Sequence, residues 1–296
     1  MKRRGMEKRA ALIVLSVLLT SAQIRAVEEH PARGIVVEAA PAHHSFVVSC
    51  DAIAGYMDAM EMSFSVRDAK VLVPLKPGMA VNFTIVTRGK VLYAENIQPT
   101  TTSNFESEPM EAGTLTALNS VLDPSANKRV VSVGEQVPDF ELTDQARQQI
   151  RLSQFRGKVV ALTFGYSRCP NPNYCYRLSN NLAQVARRLH DRAGRDLVLL
   201  TIAIDPEHDQ GAALTEYANT WKADPEIWHF LTGTVAQVKQ VAGMFGMNFW
   251  SSEGLLTHTL HTIIIDREGR LAVNLEGNQF TSRQLSDLVE ALINRP

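Results

Sequence analysis

Apolar positions along the 296-residue chain fall into three regimes. The first is a nearly unbroken apolar run, Ala10 to Ala22 (AALIVLSVLLTSA). In the second, residues 34 to 98, alternating or β-branched runs recur at Gly34–Glu38, Ser45–Ser49, Met62–Val66, Val81–Thr87 and Val91–Ala94, with an Arg88-Gly89 turn before the last. Such runs predict short strands with one buried face. Five of them in about 65 residues predict a small closed all-β barrel, because closure removes exposed edges. Over residues 99–132 the pattern weakens into Thr, Ser, Asn, Glu and Pro, which reads as a linker.

The third regime, residues 133–296, alternates strand and helix signals. Val159 to Phe164 is an apolar run, followed by Leu178, Leu182, Val185 and Leu189 at helical spacing. Leu197 to Ile204 (LVLLTIAI) is apolar on both faces, as in a strand covered by helices. A helix near Ala212–Trp221, a strand at His229–Leu231 and a helix opened by Thr234 and Gln237 as a capping box come next. A hairpin follows, Thr259–Ile265 and Leu271–Leu275 around an Arg-Glu-Gly-Arg turn, and then a helix with Leu285, Leu288, Val289, Leu292 and Ile293 on one face. The order βαβ, α, ββα predicts an α/β thioredoxin-like domain with an inserted segment.

Composition narrows this picture. Hydrophobic residues at 45% and charged residues at 21% are globular values and exclude wholesale disorder. The balance of 30 basic to 31 acidic residues lacks the excess that a phosphate backbone selects, so nucleic acid is not an expected partner. The apolar run follows Lys2, Arg3, Arg4, Lys8 and Arg9 and precedes small residues at Ala22 and Ala26, the layout of a secretory signal peptide over residues 1–26. An uncleaved membrane anchor is the alternative, although 13 residues fall short of the ~20 of a spanning helix. Loss of the leader removes six basic residues and one acidic, leaving 24 against 30. Export to an extracytoplasmic or periplasmic compartment places three cysteines in oxidising surroundings, and their odd number leaves at least one outside any internal disulfide.

Two constellations carry candidate chemistry. Cys169 and Cys175 lie in YSRCPNPNYCY, between a buried strand and a helix, where backbone N–H groups favour thiolate. Pro170 and Pro172 stiffen the loop. A structural disulfide, a redox-active pair and a metal-binding pair are all compatible with it. In the barrel, Cys50, Met57, Met60 and Met62 cluster within CDAIAGYMDAMEM. Met60 and Met62 are two apart and share a strand face. Thioethers bind Cu(I) well and harder ions poorly, and they form no disulfides.

Over about residues 133–295 the sequence resembles the Sco/SenC family of thioredoxin-like copper proteins. The resemblance rests on Val133-Gly134, Pro138-Asp139-Phe140, Phe155 to Lys158, Phe164-Gly165-Tyr166 with its cysteine loop, Ile204 to Asp209 (IDPEHD), WHFLTG at 228–233, and His258 ahead of Asp266 to Gly269. It implies copper held by Cys169, Cys175 and His258, with His261 as the rival histidine. It also implies a supporting role for Asp205 and Asp209, for which helix capping is the alternative. The cysteines are separated by five residues rather than the usual three, a longer-loop variant. Residues 34–98 resemble the CusF-like periplasmic copper-binding domain, with Met60 and Met62 as its M-x-M pair, Cys50 where its histidine falls and Met57 near its aromatic residue. His43 and His44 are substitute candidates for that histidine. Together these imply an exported metallochaperone. It would take copper from the barrel to the second domain, aided by the effective concentration a linker creates, and deliver it to a respiratory oxidase copper subunit or another periplasmic copper protein. The alternative is a thiol-disulfide oxidoreductase acting through Cys169 and Cys175.

Overall fold

The computed structural model describes residues 28–100, 129–252 and 255–295. The expected leader and most of the expected linker lie outside these residues. No helix among the described residues is long and apolar enough to cross a membrane.

Five strands, β1 (Glu28–Ala40), β2 (Ser45–Cys50), β3 (Met60–Ser65), β4 (Ala80–Arg88) and β5 (Val91–Thr100), close in the order β1-β2-β3-β5-β4. β1 starts six residues ahead of the run expected at Gly34, because it serves two partners: Gly34–Ala40 pair with β2 and Glu28–Ile35 with β4. Register shifts at Val36/Glu38 and Asn82/Thr84 bend the long strands toward closure. Phe46, Val48, Phe64, Phe83 and Ile85 fill the interior.

The second unit is built on a seven-stranded sheet, β14-β13-β8-β9-β10-β6-β7. Its central strands, β8 (Val159–Gly165) and β9 (Leu197–Ala203), are parallel and buried along their whole length. Their side chains alternate between two cores. Val159, Ala161, Leu197 and Leu199 meet α1 (Arg177–Arg188), α2 (Ala212–Thr220) and α4 (Ser282–Ile293); Val160, Leu162, Val198 and Leu200 meet α3 (Val235–Met244). That two-sided demand is why these runs carry no polar alternation. The remaining sheet strands are β6 (Glu141–Asp144), β7 (Gln149–Arg151), β10 (Trp228–Thr232), β13 (His261–Ile265) and β14 (Leu271–Glu276). A separate two-stranded hairpin, β11 (Phe249–Ser252) with β12 (Leu255–His258), precedes β13.

The barrel is seated on this unit. Its Ile35 and Ala80 belong to the same core as α1 and α4. A Cβ on Gly78 would lie 2.5 Å from Val273 Cγ1 of β14, so the absence of a side chain there permits close approach.

Candidate metal centres

The cysteine loop begins where β8 ends. Gly165 closes the strand, and a Cβ there would fall 2.9 Å from the Tyr217 hydroxyl of α2, so glycine lets that aromatic sit under the loop. Tyr166 is buried and its hydroxyl donates to Leu256 O of β12 at 3.0 Å, tying the loop to the hairpin. Asn171 accepts the Asn173 N–H at 2.9 Å, and one wide turn, Pro172–Tyr176, leads into α1 with Tyr174 out of helical conformation (φ −104°, ψ −105°). The five intervening residues are absorbed in that turn.

Three of the expected ligands converge. Cys175 is buried, and its Sγ lies 3.3 Å from His258 Nε2 on the last residue of β12. His258 Nδ1 is 2.9 Å from the Thr259 carbonyl, which can only accept, so the proton is assigned to Nδ1 and the Nε2 lone pair faces the sulfur. Cys169 is half-buried on the outer side, a free thiol like Cys175. Its pKa is drawn down to about 4, chiefly by a hydrogen bond with Cys175 and against burial. Cys175 moves the opposite way, pushed up by Cys169 and then by burial. The helix-terminal position of the loop is expected to favour thiolate; the two sulfurs shift in opposite directions, with thiolate favoured at Cys169 and disfavoured at Cys175. Among the described residues no group of three His, Cys, Asp or Glu side chains is arranged to hold a metal ion. His261, the rival, is buried and directed elsewhere, with Nδ1 2.9 Å from Asn274 Oδ1.

Asp205 and Asp209 brace the loop and neither is bonded to a sulfur. The Ser167 N–H donates to Asp209 Oδ2 at 3.0 Å and its hydroxyl to Oδ1. Arg168 donates to Asp205 Oδ2 at 2.6 Å, and His208 Nδ1 sits 2.8 Å from Asp205 Oδ1. The residues immediately before Cys169 are therefore clamped by two carboxylates from the segment after β9.

In the barrel, Cys50 and Met60 face each other across β2 and β3, and Met62 faces Val48. Met60 is 42% exposed at the rim, whereas Met57 and Met62 are half-buried against the barrel core. The Cys50 thiol is buried, 3.7 Å from Val48 O, and is pushed up to about 12 by burial and then by Asp51. His43 and His44 do not substitute for a ligand there. They form the β1–β2 turn, next to the Ser45–Ser65 end of the ladder, while Cys50 and Met60 occupy the other end. His44 Nδ1 is 3.0 Å from Val66 O. Sequence reasoning passed over His30, whose ring stacks on Tyr56 at 3.6 Å and 18°, beside the loop that carries Met57. The adjacency of Tyr56 to Met57 was the available signal, but His30 lies before the expected start of the barrel.

The SCO1/SenC family model matches residues 132–294, and a model described as copper binding periplasmic protein CusF matches residues 29–99. An SCO2-like protein of Rickettsia typhi is 27% identical over 147 residues, covering 47% of this chain and 68% of that protein. The human mitochondrial SCO2 homolog is 27% identical over 168 residues, covering 54% of this chain and 60% of that protein. Among solved structures, yeast Sco1 with copper bound is 25% identical, covers 55% of this chain and 91% of that one, and superposes with a TM-score of 0.47.

Proposed function

The chain belongs to the SCO1/SenC family, and from that premise we propose that it is an extracytoplasmic copper chaperone with two metal centres. The barrel captures copper through Met60 and Met62, with Cys50 and Met57 beside them. The thioredoxin-like unit holds it through Cys169, Cys175 and His258 and passes it to an acceptor, the copper subunit of a respiratory oxidase or another copper protein of the same compartment.

The observation that carries this reading is the Cys175 Sγ to His258 Nε2 contact of 3.3 Å, with Nδ1 committed to a backbone carbonyl and Cys169 alongside. Two thiolates and an oriented imidazole are a soft-to-borderline donor set suited to copper in either oxidation state. The pKa of Cys169 is lowered, so thiolate, the form that ligates a metal, is favoured at that sulfur. In the barrel the thioethers need no deprotonation. The buried Cys50 thiol does, which makes Met60 and Met62 the first contacts for an arriving ion.

Copper titration of the wild type against Cys169→Ser, His258→Ala and Met60→Leu tests the proposal. Loss of one equivalent is expected in each of the first two, and loss of a different, Cu(I)-selective equivalent in the third. Undiminished stoichiometry in both Cys169→Ser and Met60→Leu would overturn the two-centre reading.

The low pKa of Cys169 beside Cys175 favours a second reading, thiol-disulfide exchange at the same pair. It requires dithiol exchange that survives His258→Ala, a substitution that abolishes copper binding at this centre under the first reading.

A further inference from the structure

A cavity of about 330 Å³ opens directly beside the two cysteines. Cys169 and Cys175 form one wall, and Tyr176, Glu216, Tyr217 and Trp221 form the others. Three of these come from one face of α2 and its cap, where residues three or four apart lie side by side. Tyr217 is buried and pinned edge-on against Phe230 at 5.0 Å, so it makes a fixed floor. Tyr176 is 58% exposed and packs against Trp221 with ring centroids 4.8 Å apart. Glu216 is exposed, and none of the ion pairs among the described residues uses it.

Neither the copper ligands nor the carboxylate clamp accounts for this arrangement. Metal binding at the sulfurs needs no aromatic walls, and Asp205 and Asp209 brace the loop without entering the cavity. The volume is at the small end of ligand cavities and suits one long side chain rather than a cofactor. The chemistry selects which one. Aromatic faces present negative π density, and Glu216 adds the only carboxylate of the lining, so the complementary guest is a cation with an apolar stem. We propose that the cavity is a recognition subsite for a lysine or arginine side chain that flanks the receiving residues of a protein docked at Cys169. The inference rests on the reading that an acceptor protein docks at these cysteines. It adds a sequence preference that the metal ligands cannot supply.

Thiol exchange reads this preference without copper. In the full chain carrying Cys175→Ser, Cys169 is the accessible thiol. Five-residue peptides with a central cysteine are supplied as mixed disulfides with thionitrobenzoate. The Cys169 thiolate attacks the peptide sulfur, the bond to thionitrobenzoate breaks as the new bond to Cys169 forms, and the released aromatic thiolate is followed by its absorbance. An arginine-flanked peptide is expected to react about fivefold faster than a glycine-flanked one, the gain of one partly exposed cation–π and carboxylate contact. A glutamate-flanked peptide is expected to react more slowly than glycine. Glu216→Gln together with Trp221→Leu should erase the arginine advantage, whereas Glu226→Gln, a carboxylate outside the cavity, should leave it. Retention of the advantage in the Glu216→Gln, Trp221→Leu chain would overturn the subsite. So would its equal loss in Glu226→Gln, which would assign the preference to the overall field of the protein. Copper titration of the wild type separates the two claims: failure to bind copper refutes the chaperone reading alone, and failure of the peptide preference refutes the subsite alone.

Discussion

Asp205 and Asp209, four residues apart, show how local surroundings set a residue's behaviour. Burial raises the pKa of both carboxyls. At Asp205 the Arg168 and His208 contacts outweigh burial and the pKa is lowered; at Asp209 burial outweighs the bonds from Ser167 and it is raised. A carboxylate with a lowered folded pKa contributes stability that is complete above its unfolded value and is lost as pH falls through the folded one. Asp205→Asn should therefore flatten the acid limb of stability, with the variant and wild type converging as pH falls from about 5 toward 3. Urea midpoints at half-unit pH steps measure this, and a constant offset across that window would show that Asp205 does not titrate with folding. The residue types at the site were legible in the sequence, since two cysteines, a histidine and paired methionines limit the chemistry to soft metals or thiols. Their partners were not. Only the family resemblance set His258 ahead of His261, since which of them meets Cys175 depends on one hairpin, and the His30 stack on Tyr56 joins residues whose distance along the chain carries no local signal.

Elements whose pattern arises from burial on defined faces were the most legible. β8 and β9 read as continuous apolar runs because each serves two cores, and α3 begins at Thr234 with its reciprocal Gln237 bonds, as the capping box predicts. The β11–β12 hairpin that carries His258 was missed, and β3 begins at Met60 rather than Met62. Strands of four residues give too few alternations to establish a period, and the partner strand decides where pairing stops. The cap of α4 has a use beyond its own helix. Gln284 Oε1 accepts from the Thr281 N–H at 2.9 Å, while its Nε2 donates at 2.9 Å to Asp51, the residue after Cys50. Thr281→Ala removes the hydroxyl that receives the Gln284 N–H and should cost about 1 kcal/mol of stability. Gln284→Ala should cost more, because it also leaves the inter-unit contact unmade. Equal costs in chemical denaturation would mean that the Asp51 bond contributes nothing.

At the scale of the molecule, the expectation of two units joined by a linker omitted the surface between them. Ser49 donates to Asp287 Oδ2 at 2.6 Å, Arg188 reaches Asp287 Oδ1 at 2.7 Å, and Asp287 is only 2% exposed. Ile35 and Ala80 share the core of α1 and α4. Single polar residues such as Ser49 and Asp287 carry no period, which is why this interface could not be read from the pattern. α4 thus touches the Cys50 end of the barrel, and the loop before it donates from Asn278 to Asn173 O in the cysteine loop at 2.5 Å. Both candidate centres are anchored to one segment, so their separation is set by packing rather than by linker length. A shared core also predicts that the units unfold together. All three tryptophans, Trp221, Trp228 and Trp250, lie in the thioredoxin-like unit, whereas the barrel has only Tyr56 and Tyr93. Tryptophan fluorescence therefore reports one unit and far-ultraviolet circular dichroism reports both. In wild type the two urea transitions should coincide. Asp287→Ala leaves Ser49 and Arg188 without their shared partner, at a cost of about 1–3 kcal/mol. Gly78→Ala forces a methyl against Val273 at a backbone φ of +89° and acts at the same surface. Each should lower the dichroism midpoint, and the two together should split it from the fluorescence midpoint as the barrel melts first. Coincident transitions in the double variant, at the wild-type midpoint, would mean that the barrel's seat contributes nothing to its stability.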